Sequence, residues 1–173
     1  MEAIKMSTDT IILLMFGVLV GVAATVTMDL LGSIARRFRL VAGAKGQWVG
    51  RWYLGIARGR FVHSNIAAAP ERAGEKRAAL VGHYVIGIVL AVVYVVGARW
   101  LGISPGSFVV ALGYGLATCV FPWFLMYPAL GFGLFGRKGP AEMKPFTSSV
   151  LNHLFYGFGL WWAADIGCRA LKP

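Results

Sequence analysis

Four long apolar stretches divide the chain, and each has the length of a membrane-spanning helix. They run over residues 11–31, 78–98, 108–128 and 148–167. An apolar run of about 18 residues or more is a candidate transmembrane helix. Charged residues gather between the stretches, above all in residues 36–77. The pattern predicts an all-α membrane protein, a bundle of four transmembrane helices that forms a single integral membrane domain over residues 1–173.

Glycines and prolines add local detail to the first and third stretches. Gly17 and Gly21 have the GxxxG spacing that lets two membrane helices approach closely. Pro122 and Pro128 bracket five residues near the end of the third stretch. Because proline cannot donate a backbone hydrogen bond, we expect a kink or break there. No basic segment precedes the first stretch, and arginines follow it, so we expect a retained helix rather than a cleaved signal peptide.

The polar segment between the first two stretches contains another helical pattern. Its apolar positions recur at i, i+1, i+4, i+5 and i+8, namely Trp48, Val49, Trp52, Tyr53 and Ile56. This spacing defines one face of a helix over about residues 47–57, with Arg51 and Arg58 directed elsewhere. Such a helix is typical of the headgroup region, so we predict an interfacial amphipathic helix. The alternative is that the segment folds back over the cytoplasmic mouth of the bundle.

Composition and charge set the orientation. Hydrophobic residues make up 58% of the chain and charged residues 14%, against about 25% charged in soluble domains. Of the 17 Lys and Arg residues, 13 lie in residues 36–77 and 137–144 and four on the opposite side. The positive-inside rule then places both loops in the cytoplasm and both termini on the opposite side of the membrane, which is the periplasm in a bacterial inner membrane. Topology accounts for the net charge of +10, so we expect a lipid bilayer and no nucleic acid as partner.

Three ionisable residues interrupt the apolar stretches near the cytoplasmic side. Asp29, His83 and His153 each lie roughly 10 Å from that end of their helix, at 1.5 Å rise per residue. Exposing them to lipid is costly, so we expect them to face one shared pocket. Arg51 and His63 could reach the mouth of this pocket from the loop. The candidate ligand-binding residues are therefore Asp29, Arg51, His63, His83 and His153.

Three interpretations of these residues remain open. They can act as interhelical hydrogen bonds with a purely structural role. They can form a site for a small ligand, an ion or a proton. His83 and His153 can also ligate a metal ion or haem, although neither HExxH nor an i, i+4 ligand pair is present. Cys119 and Cys168 have no metal-ligand spacing and are interpreted as small packing residues.

Several short motifs give the chain a family resemblance. They are Met28-Asp29, Val49-Gly50-Arg51-Trp52, Gly59-Arg60-Phe61-Val62-His63, Ile66, Ala67-Ala68-Ala69-Pro70, His83-Tyr84, Gly87, Pro128-Ala129-Leu130-Gly131, His153 and Gly157. With these motifs the chain resembles a bacterial group of four-helix inner-membrane proteins catalogued only as a domain of unknown function. The resemblance covers about residues 17–165 and implies a fold and a membrane location, but no reaction. One departure is Tyr127, where we expect Gln before the proline.

The first functional hypothesis is an inner-membrane protein whose cytoplasm-facing polar pocket binds or passes a small ligand, ion or proton. A basic mouth would favour anions. The alternatives are an accessory subunit of a homo-oligomer or larger membrane complex, and a haem- or metal-binding protein or enzyme. Because no nucleophile or phosphate-binding loop accompanies Asp29 and the histidines, the sequence favours a non-enzymatic role.

Overall fold

The computed structural model describes residues 8–170, and that range is helical without a strand. Helix α1 spans Thr8–Arg37, α2 Gly46–Ile56, α3 Glu75–Trp100, α4 Phe108–Ala117, α5 Tyr127–Ala129 and α6 Pro145–Ala170. Single 3-10 turns cover Ile66–Ala68 and Leu134–Gly136. Helix α1 packs against α3 and α6, α4 packs against α6, and α2 packs against α3.

Three helices are long and apolar enough to cross a membrane, namely Asp9–Arg37, Glu75–Trp100 and Phe108–Ala129. Their outer surfaces carry many exposed large apolar side chains, such as Leu19, Leu80 and Val109. A soluble monomer rarely leaves so much apolar surface uncovered. Such helices and surfaces are expected of a membrane protein, and the membrane location stays a prediction. Helix α6 is 26 residues long, but Asn152, His153 and Asp165 make it more polar, and its crossing of the membrane stays a prediction.

The predicted kink in the third stretch is confirmed. Residues Pro122–Met126 form a π-helical segment between α4 and α5. The amide of Tyr127 donates to the carbonyl of Pro122, five residues earlier, which is the hydrogen bond that defines a π turn. Pro122 and Pro128 cannot donate to the preceding turn, so the regular ladder is interrupted here. We refer to Phe108–Ala129 as the third helix.

Small residues bring the long helices into close contact, as the GxxxG spacing predicted. A Cβ atom added to Gly21 would lie 2.7 Å from the Cα of Ile88 on α3. Gly115 and Gly157 form a similar contact between α4 and α6, where an added Cβ on Gly115 would lie 2.7 Å from the Cα of Gly157. Without a hydrophobic driving force in lipid, such close backbone packing is a main source of helix association.

The helix predicted over about residues 47–57 is present as α2. Its Trp48 and Trp52 side chains are buried against protein, in a cluster with Ile66, Leu130 and Phe132. The loop behind α2 is tied to the kinked end of the third helix, because the Ile66 amide donates to the Leu130 carbonyl at 3.0 Å. The aromatic face of α2 therefore contacts the bundle. Of the two positions left open by the sequence, this packing favours the one over the mouth of the bundle.

Candidate functional site

A cavity of about 980 Å³ lies inside the bundle beneath α2. Its walls come from α1, α3, the π-helical end of the third helix and α6. The walls are mostly apolar, and polar groups converge from several helices, as in typical ligand sites. Asp29, His83 and His153 all line this cavity. The structure thus brings together the three intramembrane residues; that they bind a ligand stays a prediction.

Asp29 is held by two side chains of α3. His83 Nε2 lies 3.0 Å from Asp29 Oδ1, and the Tyr84 hydroxyl donates to Asp29 Oδ2 at 3.3 Å. Both hydrogen-bonded side chains remain partly accessible, Asp29 at 44% and His83 at 35%. The pair therefore joins α1 to α3 and still presents polar atoms to the cavity.

His153 has a different partner, Thr118 of the third helix. The Thr118 hydroxyl donates to the Gly115 carbonyl at 2.5 Å, and its oxygen lies 2.7 Å from His153 Nδ1. A threonine hydroxyl has one proton, so its oxygen accepts the second hydrogen bond and His153 Nδ1 is the donor. A neutral His153 then carries its lone pair on Nε2. Because His153 lines the cavity, its Nε2 is a candidate hydrogen-bond acceptor there.

Three tyrosine hydroxyls cross the bundle at and beyond the far end of the cavity. Tyr156 of α6 donates to the Gly87 carbonyl at 2.6 Å, and Tyr114 of α4 donates to the Leu90 carbonyl at 2.8 Å. Tyr94 donates to the carbonyl of Pro105 at 2.6 Å, in the loop between α3 and α4. These bonds tie the helices together on the side away from α2. The three tyrosine bonds thus lie between the polar cluster and the far end of the bundle.

The mouth of the cavity is basic. Arg36 at the end of α1 and Lys76 at the start of α3 line it, together with Gln47, Trp52 and Tyr53 of α2. Arg36 and Lys76 were not among the site residues predicted from the sequence. A signal for them existed, because Arg36 follows Asp29 by seven residues and Lys76 precedes His83 by seven. Residues seven apart share a helix face, so each cation lies on the face of its intramembrane partner.

Arg51 does not line the cavity, in contrast to the expectation that it reaches the mouth. It is 3% exposed, and its Nε and Nη2 atoms pair with the two Glu75 oxygens at 2.5 and 3.1 Å. Its Nη1 also donates to the carbonyls of Ile66 and Ala69. The hydrogen-bonded Glu75 carboxylate raises the pKa of Arg51. Arg51 instead holds α2, the following loop and the start of α3 together.

His63 also lies outside the cavity lining. It is 3% exposed, and its backbone amide donates to the Ala129 carbonyl at 2.8 Å. Its Nδ1 has no hydrogen-bond partner among residues 8–170. Burial, together with the charges of Arg60 and Arg72, lowers the pKa of His63. The position indicates a neutral ring packed between the loop and α2.

Metal-ligand clustering is limited in the part of the chain that the structure describes. No three His, Cys, Asp or Glu side chains of residues 8–170 come together in a group that could hold a metal ion. Cys119 is buried and Cys168 is half-buried, both as free thiols. That His83 and His153 ligate a haem or a metal ion therefore stays a hypothesis.

The fold and the cavity of residues 8–170 define a class: an all-helical protein with three helices long and apolar enough to cross a membrane and with a partly polar internal cavity. The chain belongs to the family described as "Protein of unknown function (DUF2938)", whose sequence model matches residues 18–167. This confirms the resemblance to a family catalogued only as a domain of unknown function. No curated protein and no solved structure matches the chain.

Proposed function

We propose that this protein is a bacterial inner-membrane protein that binds a small ligand or ion in a cytoplasm-facing cavity. The observation that carries the proposal is that Asp29, His83 and His153, from three helices, line one cavity. Polar groups in membrane helices are costly, so a cavity that keeps them partly accessible has a use beyond helix association. The three tyrosine bonds that cross the bundle beyond the cluster favour binding over passage to the far side.

The same proposal includes the topology. Helix α6 crosses the membrane as a fourth span, and its polar residues Asn152 and His153 face the cavity rather than lipid. Both termini lie in the periplasm and residues 36–77 in the cytoplasm, since most Lys and Arg residues then face inward. Helix α2 lies at the cytoplasmic surface and covers the cavity mouth.

Thermal unfolding of the detergent-purified protein tests the binding proposal. Inorganic phosphate, sulfate and Zn²⁺ are added separately, and the midpoint is measured. A probe at 100 times its Kd stabilises by about 2.7 kcal/mol, which corresponds to roughly 5–11 °C for a chain of this size. We expect at least one probe to raise the midpoint of the wild-type protein.

Variants of the three cavity residues, with a matched histidine control, locate the site. Asp29→Asn, His83→Gln and His153→Gln change cavity residues, and His63→Gln changes the one histidine outside the cavity lining. The shift should be lost in the cavity variants and kept in His63→Gln, provided that each variant elutes as a monodisperse peak. No shift in the wild-type protein, or a shift that survives in all three cavity variants, would contradict the proposal.

A further inference from the structure

The cavity opens sideways as well as toward the mouth. Near the loop that connects α3 and α4, the two helices are tied by the Tyr114–Leu90 hydrogen bond and by the ring contact of Tyr94 with Tyr114 at 5.0 Å. From Leu90 toward the mouth, the cavity lies between α3 and the third helix. The two helices thus form a wedge that is closed at one end.

The walls of the wedge are apolar on both sides. Val85, Ile86 and Val89 of α3 and Phe121 and Leu125 of the third helix line the cavity and are also exposed. In a membrane protein, such residues between two spanning helices face the acyl chains of the surrounding leaflet. The cavity is therefore continuous with the lipid phase through this gap.

Polarity changes along the cavity in the order found along a phospholipid. Arg36 and Lys76 lie at the mouth, which the proposed topology places at the level of headgroup phosphates. Roughly 10 Å deeper, seven residues along the helices, lies the Asp29–His83 pair, which offers hydrogen bonds at the level of a glycerol backbone. The apolar walls of the wedge lie at the same level and beyond.

The positive charge at the mouth of the cavity favours an anionic headgroup. Arg36 and Lys76 contribute two positive charges at the mouth, whereas both Asp29 oxygens are already engaged by His83 and Tyr84. A phosphate at the mouth therefore meets cations first, and the carboxylate that lines the cavity, Asp29, is already paired with His83. Each cation near the membrane surface adds a measurable attraction for anionic lipid.

From this arrangement we propose that the ligand of the cavity is an anionic glycerophospholipid that enters sideways from the cytoplasmic leaflet. Its phosphate binds Arg36 and Lys76, its glycerol region lies beside Asp29 and His83, and an acyl chain occupies the wedge. The inference rests on the proposed function, because it names the ligand class of the same cavity. Inorganic phosphate and sulfate, which share the negative charge of the headgroup, are then weaker ligands of the same cavity.

Photocrosslinking tests the position of the acyl chain. The probe is phosphatidylglycerol with a diazirine in one acyl chain, incorporated into phosphatidylcholine nanodiscs that contain the full chain. Leu125→Trp fills the wedge, and the neighbouring Phe124→Trp is the matched control. The two residues are similarly exposed, 55% and 52%, but only Leu125 lines the cavity. We expect Leu125→Trp to reduce labelling of the α3 wall at least about fivefold and Phe124→Trp to leave it unchanged.

A second pair of variants tests the headgroup. Arg36→Gln with Lys76→Gln removes two cations from the mouth, and Arg37→Gln with Arg77→Gln removes two neighbouring cations that do not line the cavity. Both double variants have the same net charge, so general attraction to the membrane falls equally. We expect the first to reduce cavity labelling at least about fivefold relative to the second.

Competition separates a lipid headgroup from a free phosphate compound. Unlabelled phosphatidylglycerol should displace the probe, and millimolar sn-glycerol 3-phosphate, which has the same headgroup chemistry without a chain, should not. Full displacement by glycerol phosphate would overturn the lipid inference and support a small-ligand site. Equal labelling in Leu125→Trp and Phe124→Trp, or in the two Arg/Lys double variants, would also overturn it. Neither result changes the outcome of the phosphate, sulfate and Zn²⁺ measurements, so failure of the lipid inference is distinguishable from failure of the binding proposal.

Discussion

At the scale of single residues, Arg51 shows how strongly one side chain can organise a loop. Its guanidinium is buried and donates to Glu75 and to two loop carbonyls. Removing one partner of a buried pair leaves an uncompensated charge, which typically costs about 3–5 kcal/mol. Replacing both partners by apolar residues costs far less. The Arg51–Glu75 pair is therefore a sensitive point of the fold.

Arg51→Met should destabilise the protein by about 3–5 kcal/mol, because Glu75 is left buried without its cation. Glu75→Leu should have a similar effect for the reverse reason. The double variant Arg51→Met/Glu75→Leu should recover at least about 1 kcal/mol relative to the sum of the single variants. Denaturant unfolding in detergent measures the three free energies. Additive losses would show that the two side chains stabilise the loop independently.

His63 should make the folded state sensitive to acid. Because the folded protein lowers the pKa of His63 below its ordinary value of 6.5, the unfolded chain takes up a proton that the folded protein resists. Stability contributed by neutral His63 is full above about pH 6.5 and is lost as the pH falls, by at most about 1.4 kcal/mol per pH unit. His63→Gln should therefore lose less stability than the wild-type protein between about pH 7 and pH 5. Parallel pH profiles of unfolding would contradict this assignment.

The roles of Arg51 and His63 were beyond sequence reasoning for a definite reason. A basic residue opposite an aromatic face is most simply assigned to solvent, and the partner Glu75 lies 24 residues away along the chain. Nothing in local spacing indicates that a later helix supplies a buried carboxylate. Asp29, His83 and His153 were different, because the cost of polar groups in lipid limits where they can face.

At the scale of elements, helix contacts follow from residue size. The spacing of Gly17 and Gly21 predicted a close contact, and α3 is the helix that contacts them. Proline positions likewise predicted the π-helical segment. The partner helix in each contact could not be predicted, because helix rotation is not determined by the sequence of one helix. For the same reason, the sequence could not decide whether the aromatic face of α2 contacts lipid or protein.

Gly21→Val should destabilise the contact between α1 and α3. A Cβ at this position would meet the Ile88 backbone at 2.7 Å, which cannot move as a flexible side chain would. Overpacking of this kind costs about 1–3 kcal/mol. Gly97→Val on α3 is the control, because nothing lies within 4 Å of its added Cβ. The thermal midpoint in detergent should fall for Gly21→Val by several °C more than for Gly97→Val, and equal midpoints would exclude a tight α1–α3 contact.

At the scale of the whole molecule, the cavity and the topology depend on each other. A basic mouth suits the cytoplasmic side, where Lys and Arg residues concentrate and anionic lipids attract them. Helix α6 supplies His153 and Asn152 to the cavity and packs on α1 and α4. Its low hydropathy then follows from the polar residues that it presents to the cavity. Helix α6 can therefore be a fourth span even though hydropathy alone does not identify it as a transmembrane helix.

Reporter fusions test this topology at four positions. Fusions after Pro70 and Lys138 should be cytoplasmic, and fusions after Pro105 and at the C-terminus should be periplasmic, because the basic loops stay inside. Alkaline phosphatase, active in the periplasm, and a fluorescent protein that matures in the cytoplasm provide opposite signals at each position. The fusions after Lys138 and at the C-terminus isolate α6, since no other described helix lies between them. If α6 spans the membrane, the two report opposite sides. The same cytoplasmic signal from both would mean three spans, and His153 would then reach the cavity from a helix that lies outside the bilayer.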